Sequence, residues 1–274
     1  MDFYQLLDSG EGERLEKFGK YVLRRPDPQI IWKRSLQKEE WEKADAVFTS
    51  DWDIKNMPRE WMVEWEGLKL ELKLTPFKHT GIFPEQMSQW QWIRERIAFS
   101  GQGLEVLNLF GYTGVASLVA AAAGASVVHV DASRSTIGWA RKNQELSGLK
   151  DKPIRWILDD TVKFVLREAR RGNKYDAVIM DPPVYGHGPE GEVWQFNKSL
   201  PVLLEALAKI ISDDPKFIII NAYAISTSAY TLGNVLKDLM GDKGKIETGE
   251  HLVKQEGSDR ILSTGIWGRW SKGI

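Results

Sequence analysis

Asp181-Pro182-Pro183-Val184-Tyr185 is the stretch whose residue types most restrict the chemistry open to this chain. Two successive prolines fix φ and remove two backbone donors, so the segment cannot continue a central strand and must leave its sheet. The carboxylate before them then points in a defined direction, and an aromatic ring follows closely. An acid and the Pro182 carbonyl can meet donors on the edge of a flat ring while Tyr185 covers its face. That is what holding a base taken out of its stack requires. A hydride-transferring dinucleotide enzyme has no need of such a group.

Phe110-Gly111-Tyr112-Thr113-Gly114 follows the apolar run Leu104 to Leu109 and precedes the small-residue run Val115 to Ala123. Gly111 and Gly114 permit tight turns and close approach of backbone to a ligand, although both could be turn residues and nothing more. The free N–H groups opening the next helix suit a carboxylate or phosphate. Asp131, after the next apolar run, is placed to accept from two ribose hydroxyls. Acids at this position serve several chemistries, so Asp131 implies an adenosine-like ligand and no more.

The elements that must position these residues alternate. Strands are expected at Leu104–Leu109, Ser126–Val130, Ile154–Leu158, Tyr175–Met180 and Phe217–Asn221. Helices are expected at Val115–Ala123, Ser133–Leu146, Thr161–Arg170, Ser199–Ile211 and Tyr230–Met240. Lys245–Val253 and Arg260–Trp267 have no helix between them and read as an antiparallel pair at the end of the sheet. The pattern predicts an α/β fold: a Rossmann-like, mostly parallel sheet with helices on both faces. Ligands then bind beyond the carboxyl ends of the strands, where strand order reverses.

Residues 1–75 have a different texture and read as a small β-rich extension preceding a domain over 76–274. Its clearest unit is the hairpin of Met62–Glu66 with Leu68–Leu74 about Glu66-Gly67. Leu68, Leu70, Leu72 and Leu74 should share one face, and Lys69, Glu71 and Lys73 the other. Arg14, Lys17, Lys20, Arg24, Arg25, Lys33 and Arg34 form a basic stretch that is either a nucleic-acid contact or a solvated face.

The 274 residues carry 37 Lys and Arg against 38 Asp and Glu, a net charge of −1, so any nucleic acid must be held by a local patch. Absence of cysteine excludes disulfides, thiolate metal sites and a cysteine nucleophile. His79, His129, His187 and His251 lack metal-ligand spacing, so no metal is expected. Val115–Val130 falls short of the roughly 18 apolar residues of a membrane span. The first residues carry no secretory pattern, and a cytoplasmic location is expected. Oligomeric state is left open.

With these pieces in place, the chain resembles a class I S-adenosylmethionine-dependent methyltransferase. It is particularly similar to the ribosomal-RNA large-subunit methyltransferases whose fourth motif is Asp-Pro-Pro-x-aromatic. The matching segments are Phe77 to Gln86, Asn108 to Gly114, Val130-Asp131-Ala132-Ser133, Asp159 to Phe164 and Asp181 to Gly186. The resemblance implies S-adenosyl-L-methionine as cofactor. Asn108, Phe110, Gly111 and Thr113 would cradle its methionine part, and Asp131 with Ala132 its ribose. Asp160, in preference to Asp159, would meet the adenine amino group, and Thr80, Gly81 and Gln86 would lie in the segment that covers the cofactor from the N-terminal side. Asp181, Pro182, Pro183 and Tyr185 would face the acceptor.

A cytosine-5 mechanism needs a cysteine and is not available. The expected reaction is therefore methyl transfer to a nitrogen of an RNA base, ribosomal RNA being favoured as partner. The glycine-rich loop from Tyr185 to Asn197 could close over the substrate, with Trp194 anchoring it in preference to acting as a lid. The competing readings are a methyltransferase acting on a protein or small molecule, a non-catalytic scaffold, and an NAD-dependent oxidoreductase. The last lacks the Gly-x-Gly-x-x-Gly pattern.

Overall fold

The structure, a computed structural model, describes residues 3–101 and 103–272. The chain forms two compact units, residues 1–85 with Leu252–Ser263, and 86–251 with 264–274.

The first unit is built on a five-stranded sheet in the order β1 (Tyr4–Gly10), β2 (Glu13–Phe18), β3 (Tyr21–Pro26), β4 (Ala46–Phe48), β5 (Trp52–Ile54). The first three strands run antiparallel as a meander, and β4 joins β3 in parallel. β1 and β2 bury polar groups such as Asp8 and Glu16 and lack an apolar alternation, so they carry no strand pattern in the sequence. Leu6 packs with Ile30, Val253 and Leu262, and Leu15 with Trp41 of α1 (Lys38–Glu42). The expected hairpin is present as β6 (Glu60–Trp65) and β7 (Leu68–Lys73). Glu66 and Gly67 both take positive φ, 47° and 86°, as a two-residue turn of this hand demands. Trp61, Val63, Trp65, Leu68, Leu70 and Leu72 are buried. Glu71 departs from the expected polar face: it too is buried, paired with Lys73 at 2.9 Å.

The second unit begins with α2 (Met87–Ser100), which follows a 3-10 turn at Pro84–Gln86. No helix was expected here, yet the buried Trp90, Ile93 and Ile97 of α2 stand at i, i+3 and i+7, the spacing of one helical face. Alternation then follows as expected: β8 (Glu105–Leu109), α3 (Val115–Ala122), β9 (Ser126–Asp131), α4 (Arg134–Leu146), β10 (Ile154–Leu158), α5 (Thr161–Arg171) and β11 (Ala177–Met180). A small ribbon of β12 (Tyr185–His187) and β13 (Val193–Gln195) precedes α6 (Phe196–Leu207). β14 (Phe217–Ala222), α7 (Ala229–Met240), β15 (Lys245–Lys254) and β16 (Ile261–Ser271) complete the chain.

Seven strands form one sheet in the order β10-β9-β8-β11-β14-β16-β15. It is parallel from β10 to β14, and β16 runs antiparallel to β14. Parallel strands covered on both faces read as unbroken apolar runs, and β11 and β14 are buried throughout. Successive strands step from β8 to β10 on one side and from β11 to β14 on the other. The order therefore reverses between β8 and β11, which sets Phe110–Gly114 beside Asp181 on one rim.

Candidate active site

The turn after β8 is held in an uncommon backbone conformation. Phe110, Tyr112 and Gly114 have φ of 57°, 52° and 88°. For the two non-glycine residues this costs about 1–2 kcal/mol each. Gly111 lies flat on a buried imidazole: a Cβ there would stand 2.3 Å from His129 Cε1. His129 packs on Trp156 at 4.6 Å between centroids and meets Ser117 Oγ through Nδ1 at 2.9 Å. Asn108 donates to the same Ser117 hydroxyl at 2.8 Å. Burial pushes the His129 pKa down to about 3, so the ring is a neutral support under the turn. Asn143 donates to the Thr113 carbonyl at 3.1 Å from α4. Asn108, at 2 % exposure, is thus part of the foundation beneath the turn.

Asp131 ties three pieces together. Oδ2 accepts from the Tyr112 N–H at 2.9 Å; Oδ1 accepts from Ser133 N–H at 2.9 Å and the Thr136 hydroxyl at 2.7 Å. One acid therefore shapes the turn and the start of α4, with Ala132 between its anchor points. At the end of β10, Asp160 caps α5 by accepting from Lys163 N–H at 2.9 Å, while Asp159 is ion-paired with Arg167. Asp160 is thus the acid at this rim without an arginine partner, and its second oxygen is not used by the cap.

After β11, Asp181 Oδ2 accepts from Gln86 Nε2 at 2.7 Å, and the same nitrogen donates to the Tyr223 hydroxyl at 2.9 Å. Tyr223 follows β14 directly and its ring stacks on His251 of β15, 5.4 Å away and 2° from parallel. His251 in turn meets Asn221 at 3.2 Å. The stacking of Tyr223 on His251 depends on the antiparallel edge of the sheet and leaves no local pattern in the sequence.

The segment after Pro183, expected as a glycine-rich loop, forms a short ribbon. β12 and β13 pair from Tyr185↔Gln195 to His187↔Val193, and α6 starts at Phe196, earlier than expected. Trp194 anchors this ribbon. Its indole donates to the Pro183 carbonyl at 2.7 Å and packs edge-on against Phe110 at 4.7 Å, joining the Asp-Pro-Pro segment to the turn after β8. Lys163 pairs with Glu190 and Glu192 at the ribbon's tip. Tyr185 is 53 % exposed, with the His187 ring perpendicular to it at 5.2 Å between centroids.

Thr80 and Gly81 belong to the first unit. The Thr80 carbonyl accepts from Lys73 N–H at 3.0 Å, its hydroxyl is buried without a hydrogen-bond partner, and Gly81 has a φ of 98°. In the same unit the expected basic surface is largely neutralised. Arg25 grips the fully buried Glu16 at 2.7 and 2.8 Å and reaches the Lys78 carbonyl at 3.0 Å. Arg14 pairs with Glu16 and Asp27, Arg24 with Glu13, and Arg34 with Glu11 and Glu13. These arginines fold the unit together and present little unpaired charge. Burial, then Arg25 and Lys78, push the His79 pKa down to about 4.

The rim fits S-adenosylmethionine. The turn after β8 lies close on its His129 support because Gly111 has no Cβ, α3 follows Gly114 with no side-chain cap on its N–H groups, and two acids close the strands where ribose and adenine would lie. Among the described residues there is no cluster of metal-ligating side chains, and no helix is long and apolar enough to cross a membrane.

Comparison with known proteins agrees with this geometry. A family model for S-adenosylmethionine-dependent methyltransferases matches residues 33–230. The S-adenosylmethionine-dependent methyltransferase from Agrobacterium tumefaciens, a crystal structure, superposes with a TM-score of 0.95 at 41% identity, covering 99% of this chain and 91% of that one. SMU.776, a protein described as a methyltransferase and solved with S-adenosylhomocysteine, shares the fold at a TM-score of 0.73 and 18% identity, over 98% of this chain and 75% of that one. The ribosomal RNA large subunit methyltransferase K/L of Shewanella loihica is 32% identical over 190 residues, 68% of this chain and 24% of that protein. The chain thus spans about a quarter of the length of that curated relative. Turn, acids and rim coincide with a family match over most of the chain, and the chain belongs to the S-adenosylmethionine-dependent methyltransferase family.

Proposed function

We propose that the enzyme transfers the methyl group to a nitrogen of an RNA base, ribosomal RNA being the favoured substrate. The observation that carries this reading is Asp181: a carboxylate followed by two prolines and held by the Gln86 amide, four residues before the exposed ring of Tyr185. The similarity to ribosomal RNA large subunit methyltransferase K/L supports the substrate class. A cytoplasmic location follows from such a substrate, residues 76–274 carrying the transfer and 1–75 serving as an accessory.

The cofactor supplies a methyl group on a positively charged sulfur, already electrophilic, so the protein's task is alignment and exclusion of water. Phe110, Gly111 and Thr113, stiffened from below by Asn108, Ser117 and His129, receive the methionine part. Asp131 and Ala132 receive the ribose, and Asp160 the adenine amine. Gln86 spends its nitrogen on Asp181 and Tyr223, which leaves Oε1 for the cofactor. On the acceptor side, Asp181 accepts an N–H of the base, directing the nitrogen lone pair at the methyl carbon. The Pro182 carbonyl accepts a second N–H, Pro183 holds the turn through Trp194, and Tyr185 stacks on the ring.

A protein or small-molecule acceptor is the second reading, favoured by the self-neutralised arginines of the first unit. Mass spectrometry of ribosomal-RNA nucleosides from cells with and without the gene decides between them. Loss of one N-methylated nucleoside is expected, and identical nucleoside profiles would rule the RNA reading out.

A further inference from the structure

With the N-terminal arginines taken up by carboxylates, an RNA strand needs another cationic surface. One lies on the antiparallel edge of the seven-stranded sheet, within the second unit. Arg269 of β16 is sandwiched between two indoles, 4.9 Å from the Trp92 ring of α2 and 4.0 Å from the Trp267 ring. Arg96, one helical turn after Trp92, covers the same ring at 5.0 Å. The four side chains alternate cation and aromatic as Arg96, Trp92, Arg269, Trp267. Trp92 is fixed from behind by Phe217, edge-on at 5.4 Å.

Neither guanidinium has a carboxylate or hydrogen-bond partner among the described residues, and Arg269 Nε is buried bare although the residue is only 9 % exposed. Glu247 is the acid that faces Arg269, and Lys245 already holds it at 2.9 Å. Burying a cation without a counter-ion is unfavourable unless something else repays it. Burial pushes the Arg269 pKa down to about 10, so the charge persists at neutral pH.

The ladder also has a direction. Arg269 pairs with Ile219 and Trp267 with Asn221, and the next residue of that face, Gly265, is where a Cβ would strike the Tyr223 ring at 2.7 Å. Gly249 is similarly bare, a Cβ there standing 2.5 Å from the Trp267 ring. Residues two apart on a strand share a face. The row therefore climbs from Arg269 through Trp267 to Tyr223, which Gln86 joins to Asp181.

We propose that the Arg96–Trp92–Arg269–Trp267 ladder is a docking track for the single-stranded RNA segment flanking the methylated base. Arg96, partly exposed on α2, meets phosphates with the edge of its guanidinium plane, Arg269 adds an unpaired charge beneath it, and the partly exposed edges of the two indoles border the flanking bases. The track rests on the RNA reading of the acceptor site, and it delivers the strand to the Tyr223 end of the rim.

The test is fluorescence anisotropy of a labelled 20-nucleotide single-stranded RNA of mixed sequence, titrated with the full chain over a series of KCl concentrations. Arg96→Gln and Arg269→Gln are each expected to weaken binding several-fold and to reduce the slope of log K against log salt by about 0.7, as loss of one phosphate contact on a single strand requires. Arg269→Lys keeps the charge and should preserve the slope while still weakening binding, because the stacked plane is gone. S-adenosylhomocysteine affinity, measured by calorimetry on the same variants, should not change. Should Arg269→Gln not fold, Arg96→Gln on the partly exposed flank of α2 carries the test. If the unaltered protein binds the RNA and folded variants bind it with the same affinity and slope, the track is wrong and the RNA reading stands. If the unaltered protein binds S-adenosylhomocysteine but no RNA, both are overturned while the cofactor site remains.

Discussion

Gln86 and Asp181 meet at 2.7 Å, an amide donor on the entry to α2 against the carboxylate that ends β11. The contact spans 95 positions of sequence and reaches Tyr223 through the same nitrogen. A carboxylate that is to accept from a substrate must be fixed, and a neutral amide donor does this without bringing a second charge.

Gln86→Glu keeps the shape and sets a second carboxylate beside Asp181. Like charges this close raise the proton affinity of the pair. Methyl transfer at neutral pH should fall about 100-fold, on the scale of a misplaced reacting group. The pH–rate profile, recorded with labelled cofactor, should also acquire a new dependence on a shared proton. An unchanged profile would remove Gln86 from the positioning of Asp181.

Gly111→Ala would force a Cβ to within 2.3 Å of the His129 ring. The ring is buried and boxed in by Trp156 and Ser117, so the turn must move instead. Overpacking of this kind costs about 1–3 kcal/mol. A lower urea midpoint is expected, together with weaker S-adenosylhomocysteine binding by calorimetry. Binding that survives intact would show that the turn does not hold the cofactor.

His129 sets a pH dependence of stability whose sign follows from its lowered pKa. The unfolded chain takes up the proton near 6.5, the folded protein only near 3. Its contribution is therefore fully present above about pH 6.5 and is lost as the pH falls toward 3, by up to about 1.4 kcal/mol per pH unit. His129→Phe keeps a ring over Gly111 and has no proton to bind, so urea denaturation between pH 7.5 and 5 should show a shallower loss. Parallel curves for the two proteins would contradict this.

Arg25 and Arg24 are neighbours with different duties. Glu16 is fully buried and takes two hydrogen bonds from Arg25, so Arg25→Met leaves it only the Tyr4 hydroxyl and the longer Arg14 contact and should cost about 3 kcal/mol. Arg24 and Glu13 are both partly solvated, and Arg24→Gln should cost no more than about 1 kcal/mol. Thermal melts distinguish the two; equal losses would mean that the buried network is not what holds the sheet.

What could be read beforehand follows from how locally each feature is encoded. β8, β9, β11 and β14 are buried on both faces and appear as apolar runs, and Asp131, Asp160 and Asp181 stand at strand ends where a chain reading finds them. Asp8 and Glu16 are buried by virtue of partners far along the chain, Ser35, Trp41 and Arg25, so β1 and β2 did not look like strands. The arginines of residues 14–34 looked like a surface for the same reason. The pairings of Gln86 with Tyr223 and of Tyr223 with His251 arise only when α2 and the antiparallel edge are brought to the rim.

The central claim is a cofactor lying along the carboxyl rim of the sheet with Asp181 facing the acceptor. A crystal structure of the protein grown with S-adenosylhomocysteine tests it most directly. The sulfur is expected between the Phe110–Gly114 turn and Asp181, the ribose at Asp131 and the adenine amine at Asp160. Ligand density anywhere else, or a rim closed by the protein's own side chains, would contradict the account.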